Sequence, residues 1–578
     1  LLLIKEQQGS YNITDDLMIG ANLGIDYTQA TGSVFQDPIS FNSFVQRQTG
    51  QEFTGYADQT FSRDFNLNSN VQLTYTKTFA EDHTIEASAF TEYYKAHFQS
   101  FNFRQEGLDP KTSSLGDGSG YINFDGTPFY VPTVGATKAS AGLFSYFGSL
   151  DYDYKSTFGF GATIRRDASY RFVADNRWGT FWSVSGRWNI DSAEFMKGST
   201  FNALKLRASY GTAGNQNILG QSIYNLPNAT RELYAAGTGY ANLPSYVVAQ
   251  LANRDLKWET ITQANIGLDF ELMDHRLRGS IDVYDKRTSD LYLSIPISGV
   301  NATPSISANY GDLQNRGVEA IFAYDAIRNT DGFNLTLKFN GSYNKNKVLD
   351  IFSNPGEVGM VDNGLSVVRE GHPLNEFYLV RYAGVNPANG NLLFLDKDGT
   401  PTENPDPVAD RVYTGKTSFP VWQGGFGFDA SYKGFFLTTQ FSFVADVWRF
   451  DYDLLGAQQY TDIGTFNKST DVLRAWTPDN RITDMPSYDA DNISRQGDSD
   501  RYLKDASYTR LRYASIGYDF SKKMLEKSPF TGIKAYIQGE NLVTWTKWRG
   551  FDAESPRGND QDQYPTPRIV SVGLELSF

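Results

Sequence analysis

Residues Tyr564 to Phe578, YPTPRIVSVGLELSF, decide how the rest of the chain is read. Every second position gives Val570, Val572, Leu574, Leu576 and Phe578 on one side, against Ile569, Ser571, Gly573, Glu575 and Ser577 on the other. That is the period-two alternation of a β-strand. An apolar face backed by small and charged residues, ending on an aromatic, is the pattern of a closing strand in a membrane-spanning β-barrel. There the apolar side meets lipid and the terminal ring sits at the interface.

The same alternation recurs upstream. Leu17, Ile19, Ala21, Leu23, Ile25 and Tyr27 alternate with Gly20, Asn22, Gly24, Asp26 and Thr28; Ile266, Leu268, Phe270 and Leu272 alternate with Asn265, Gly267, Asp269 and Glu271. Phe333, Leu335, Leu337 and Phe339 do so with Asn334, Thr336, Lys338 and Asn340. These second faces are too polar for a sandwich core and suit a wet or plugged lumen. About sixteen complete strands are read in this way, plus an initial stub at Leu1 to Ile4.

The connections alternate too. Short turns fall at Ala80 to Asp82, Lys155 to Ser156, Met273 to Arg276, Arg328 to Gly332 and Tyr432 to Gly434, and two longer ones at 191–200 and 521–530. Between them lie long loops at about 30–64, 102–141, 212–259, 291–314, 348–421, 450–502 and 544–567, rich in Gly, Asn, Asp, Ser and Pro. Short turns at one end and long loops at the other are the habit of outer-membrane barrels, with the long loops extracellular. A sandwich or propeller has no reason for that asymmetry.

Composition agrees. Aromatic residues make up 15% of the 578, with 41 Phe, 35 Tyr and 9 Trp, while hydrophobic residues reach only 40%. Mean hydropathy is −0.43. No run approaches the roughly 18 apolar residues of a membrane helix, so any crossing is made by strands. The absence of Cys removes disulfides, thiol catalysis and thiolate metal sites, and a net charge of −14 leaves no basic stripe for nucleic acid. The opening LLLIKEQQGS has no initiator Met, basic leader or cleavage site, which implies numbering that starts inside a longer protein.

Several stretches resemble the SusC/RagA family of TonB-dependent outer-membrane transporters of Bacteroidetes-type bacteria. They are LKLRASYGTAGNQNI (204–218), LKWETITQANIGLDFEL (256–272), NYGDLQNRGVEA (309–320), EGHPLNEFYLVRYAGVNPANGNLLFLDKDG (370–399), RYLKDASYTRLRYASIGYDF (501–520), AYIQGENLVTWTKWRGFD (535–552) and the closing strand. The resemblance runs over 200–578. It implies a transmembrane antiparallel barrel of about 22 strands, an N-terminal plug, and a TonB box drawing energy from the inner membrane. It also implies a SusD-like lipoprotein as a lid on the extracellular face, and uptake of oligosaccharides or peptides too large for porins. Signal, plug, TonB box and several strands are missing from these residues, so 1–578 reads as the C-terminal part of the barrel with no separate soluble domain. The rivals are a passive porin of about sixteen strands and a surface adhesin or glycan-binding β-protein.

Nothing in the sequence converges as an enzyme. His83, His97, His275 and His372 lack metal-ligand spacing, and the run Gly116 to Gly120 lacks the flanks of a nucleophile elbow. Asp396-Lys397-Asp398-Gly399 and the group Asp484, Asp489, Asp491, Asp498 and Asp500 could converge on structural Ca²⁺, although a tight turn and a solvated acidic surface are the favoured readings. No other cofactor is called for. Ligand or partner contact falls to loop aromatics: Trp476, Trp545, Trp548 and Tyr378, with Trp545 and Trp548 read first as members of an outer aromatic girdle and Trp476 as the better docking residue. Phe377, Tyr382, Phe394, Tyr413, Tyr460 and Phe466 join them, either awaiting a partner or packing on one another as a cap.

Overall fold

The computed structural model describes residues 2–45, 54–109, 111, 123–124, 127–128, 133–217, 224, 230–301, 303–330, 332–352, 360–362, 364–460, 463–554 and 565–578. Seventeen strands form one continuous antiparallel sheet. In chain order they are Leu2–Asn12, Leu17–Gln36, Tyr56–Phe79, His83–Glu106, Thr133–Tyr154, Phe158–Ser169, Trp178–Asn189, Phe201–Asn215, Glu259–Leu272, Leu277–Ser289, Asp312–Ile327, Phe333–Asp350, Trp422–Tyr432, Phe435–Ala445, Tyr508–Asp519, Gly532–Thr546 and Ile569–Ser577. Each pairs with the next. Among the described residues the first and last strands are paired on one side only, so the sheet is not closed.

The expected stub at Leu1 to Ile4 is a longer element. Leu2–Asn12 runs in register with the second strand from Leu2↔Thr28 to Asn12↔Met18. Its Lys5-Glu6-Gln7-Gln8 stretch is exposed and has no alternation to reveal it.

Residues opposite one another in a ladder share a face, so the registers sort the wall into rows. One row runs Leu335, Ala430, Leu437, Ile516, Ile537 and Val572; the next, one residue along, runs Asp325, Thr336, Asp429, Thr438, Ser515, Gln538 and Ser571. The alternation read in single strands is therefore continuous across the sheet. The apolar face stands exposed, with Leu574, Val572, Ile266 and Ile164 among its residues.

Ala80-Glu81, Lys155-Ser156 and Lys433-Gly434 each hold two successive residues of positive φ, a turn whose twist matches the flanking strands. The connection 190–200 contains two 3₁₀ turns, and 520–531 contains the helix Lys522–Leu525. All of these lie at one rim. The long connections lie at the other, and most are shorter than the alternation suggests because strands continue past it; 446–507 is longer than the expected 450–502. Leu17–Gln36 and Tyr56–Phe79 leave 37–55 rather than 30–64. Tyr56–Phe79 and His83–Glu106 pair residue for residue over 24 positions, with Phe61 stacked on Phe101 at 5.0 Å and Arg63 bonded to Gln99 at 2.5 Å beyond the alternating part. Ladder hydrogen bonds persist there although neither face is uniformly apolar.

The core sits in the long-rim connections. The largest fully buried side chains, including Phe172, Leu256, Leu379, Leu392, Phe394, Met485 and Tyr502, all belong to them. A second small sheet, Met360–Asp362, Ser366–Arg369, Glu376–Val385, Leu392–Leu395 and Pro401–Thr402, with Arg411–Thr417 alongside, builds part of this cap. The helix Tyr452–Gln458 and several 3₁₀ turns build the rest.

Candidate functional site

The polar face of the wall is an array of ion pairs. Asp269 accepts Arg207 at 2.8 Å and 2.9 Å and Lys205 at 3.0 Å, and Arg207 reaches Asp282 at 3.1 Å. Arg165 bridges Glu92 (2.8 Å) and Asp167 (2.7 Å), and Lys338 pairs with Asp429. A cleft of about 420 Å³ opens between Glu86, Asp151, Gly161, Ser185 and Arg187 on this face. Such a surface binds water and polar solutes and cannot face hydrocarbon.

At the long rim the two largest connections are fastened together. Asn492, 5% exposed, donates to the Leu392 and Glu403 carbonyls (3.0 and 2.7 Å) and accepts from the Leu392 N–H (3.1 Å), copying a strand pairing with a side chain. Glu403 accepts from Asn386, Asn389 and Asn391 at 2.5 to 2.9 Å, and these bonds hold its carboxyl below the usual range. Asp471 accepts from Gln458, Arg474 and Arg549 at 2.7 to 2.9 Å. Burial acts to raise that carboxyl, but the hydrogen bonds win and hold it well down. The last connection is pinned by Arg510, buried between Asp552 and Glu554 (2.7 Å to the latter), with Arg512 also on Glu554 at 2.6 Å.

The loop aromatics are divided by these contacts. Phe377 packs with Leu379, Phe450, Tyr502 and Leu503; Phe394 with Val380 and Leu392; Tyr460 with Val472 and Met485. Trp548 is buried against Val447, Ala506, Tyr508 and Ala553, which removes it both from the outer girdle and from any open stacking surface. Trp545 does lie on the exposed apolar face, 6.2 Å from Phe441. Trp476 is half-buried and donates to the Pro387 carbonyl at 3.2 Å. The Tyr378 ring lies tilted against Tyr413 at 4.8 Å, and Tyr413 in turn contacts His372 at 4.6 Å. Phe466 is exposed. The closing-strand residues Val570, Val572, Leu574, Leu576 and Phe578 are all on the exposed side.

Each histidine has an ordinary partner: His83 with Tyr152, His97 with Ser140, His275 with Glu271 and His372 with Glu376. Asp396 accepts the Asp398 and Thr400 N–H groups at 2.9 and 2.8 Å, which closes a tight turn. Among the described residues no group of three or more His, Asp or Glu is placed to hold a metal ion. The run Gly116 to Gly120 lies outside the described residues. Sequence reasoning missed the Arg510, Arg512, Asp552, Glu554 cluster. Part of its signal was available, since Arg510 and Arg512 have the spacing of one strand face, but Asp552 and Glu554 lie in an irregular connection that no period marks.

Compared with known proteins, residues 5–542 match the family described as TonB dependent receptor-like, beta-barrel. TonB-dependent receptor P3 of Formosa agariphila is 32% identical over 470 residues, covering 75% of this chain and 45% of that protein. TonB-dependent receptor SusC of Bacteroides thetaiotaomicron is 29% identical over 598 residues, covering 98% of this chain and 55% of that protein. The chain thus spans about half the length of such relatives. The structure described as the RagAB peptide transporter superposes with a TM-score of 0.87 over all of this chain and 62% of that one, at 24% identity, a likeness of fold.

Proposed function

We propose nutrient import for this chain, which belongs to the TonB-dependent receptor β-barrel family and is SusC/RagA-like. It forms part of the wall and the extracellular mouth of an outer-membrane transporter of about 22 strands. The remaining strands and a plug come from sequence preceding Leu1. Energy enters through TonB, so no resident cofactor is required. A SusD-like lipoprotein covers the long rim, and the cargo is an oligosaccharide or a peptide oligomer.

The observation that carries this reading is the pair of adjacent rows across the sheet, Leu335 to Val572 apolar and Asp325 to Ser571 polar. A wall so divided separates lipid from water. The two open edges support the missing strands, since unpaired backbone in hydrocarbon costs several kcal/mol per group. Deletion of the gene in its host should abolish growth on one oligosaccharide or peptide source, and loss of TonB should do the same. Uptake that survives loss of TonB would favour the passive porin instead.

A further inference from the structure

Where helix Tyr452–Gln458 meets residues 549–551, a cleft of about 300 Å³ is lined by Asp451, Asp453, Leu454, Ser469, Arg549 and Phe551. It is at the small end of ligand clefts, roughly 300 to 1,000 Å³. Asp451 is 1% exposed; its Oδ1 accepts the Leu454 N–H at 2.9 Å, and its Oδ2 has no hydrogen-bond partner among the described residues. A buried carboxylate oxygen without a donor is costly, which marks this as a place where a donor belongs. Burial, aided by the neighbouring Asp453 charge, pushes the Asp451 carboxyl up, the response of a group lacking that donor. Beside it the Phe551 ring stands 73% exposed.

The charges define the ligand. Arg549 in the lining opposes a cation, and its guanidinium is already engaged by Asp471 at 2.7 Å. Asp451 and Asp453 oppose an anion. A neutral group that donates hydroxyls and offers an apolar ring face meets every one of these demands. We propose that this cleft is a subsite for one residue of a neutral oligosaccharide, a reading that rests on the import function above and narrows its cargo to glycan. Hydroxyls donate to Asp451 and Asp453, and the C–H face of the sugar lies on Phe551.

The test uses the full-length transporter, purified in detergent with any lipoprotein that accompanies it. It is screened against an array of neutral α- and β-linked glucans, mannans, xylans and galactans, with acidic oligosaccharides and peptides as comparison. Isothermal titration then measures the best neutral ligand on the wild type and on Phe551→Ala, Asp453→Asn and Asp451→Asn, the last keeping the helix-capping oxygen. A neutral glycan whose affinity falls about tenfold or more in Phe551→Ala and in one Asp variant, with melting temperatures unchanged, is the expected result. Equal affinity in all four proteins, preference for acidic glycans or peptides, or no neutral ligand at all overturns it. TonB-dependent uptake of a glycan that ignores these variants removes the subsite and leaves active import standing; TonB-independent uptake removes the TonB-driven import reading itself.

Discussion

Trp476 packs against the backbone of Gly390: a methyl group on the Gly390 Cα would come within 2.7 Å of the ring carbons Cδ2 and Cε3. Gly390 also has φ +80°, which a side chain would strain. Gly390→Ala should loosen the join between the two largest connections by about 1–3 kcal/mol. Limited proteolysis should then nick 446–507 faster while the barrel keeps its heat-modifiable mobility. An unchanged nicking rate would show that this contact does not fasten the cap.

Arg510 is buried with both of its acidic partners in place. Arg510→Met should destabilise the protein by about 3–5 kcal/mol, because Asp552 keeps its charge without its counterion. Denaturant unfolding in detergent reads this, and a loss below 1 kcal/mol would mean that the cluster is solvated in practice.

The same cluster predicts an acid limit. Burial acts to raise the Asp552 carboxyl, but bonds from Thr566, the Glu554 N–H and Arg510 outweigh it and bring it down from the ordinary 3.8 to about 2. A depressed carboxylate contributes stability in full above its unfolded pKa and loses it as pH falls through the folded one. Residues 547–554 should therefore stay docked at pH 5 and release between about pH 4 and pH 2. Hydrogen exchange of 547–554 across that window checks the sign; release on raising the pH would contradict it.

Leu268 and Asp269 are neighbours on opposite faces. Leu268, opposite Leu206 and Ile281, should cost about 2–4 kcal/mol on substitution by Arg near the bilayer midplane. Asp269 holds both Arg207 and Lys205, so Asp269→Ser is not the mild change that a lone lumen-facing acid would give. Its side chain is 32% exposed, which limits the loss to about 1 kcal/mol. Urea unfolding from lipid vesicles orders the two, and equal losses would undo the assignment of faces.

Sidedness is directly testable, since this chain has no native Cys. Lys397→Cys, on a long-rim turn, should react with a membrane-impermeant maleimide on intact cells. Lys155→Cys, at the short-turn rim, should react only after lysis. The reverse pattern would invert the orientation.

The wall was legible because lipid and water impose one rule on every residue: Val572 and Ser571 report their faces by type alone. Leu2–Asn12 was read short because Lys5 to Gln8 carry no such contrast. The cap was not legible, since its pairings join distant segments. Whether Trp548 faces solvent depends on Val447 and Ala506, about a hundred and about forty residues before it, and no local period encodes that. Its short strands, such as Leu392–Leu395, are equally silent.

The paired strands Tyr56–Phe79 and His83–Glu106 are more than twice the length a crossing needs, which is about ten residues. At about 3.3 Å per residue the excess reaches on the order of 40 Å along the strand. Salt screens charge within about 8 Å under physiological conditions, so the top of this hairpin stands several screening lengths from the lipid headgroups. What arrives at the rim there is attracted or repelled by the protein's own acidic groups, and the charge of the membrane surface has no say in it.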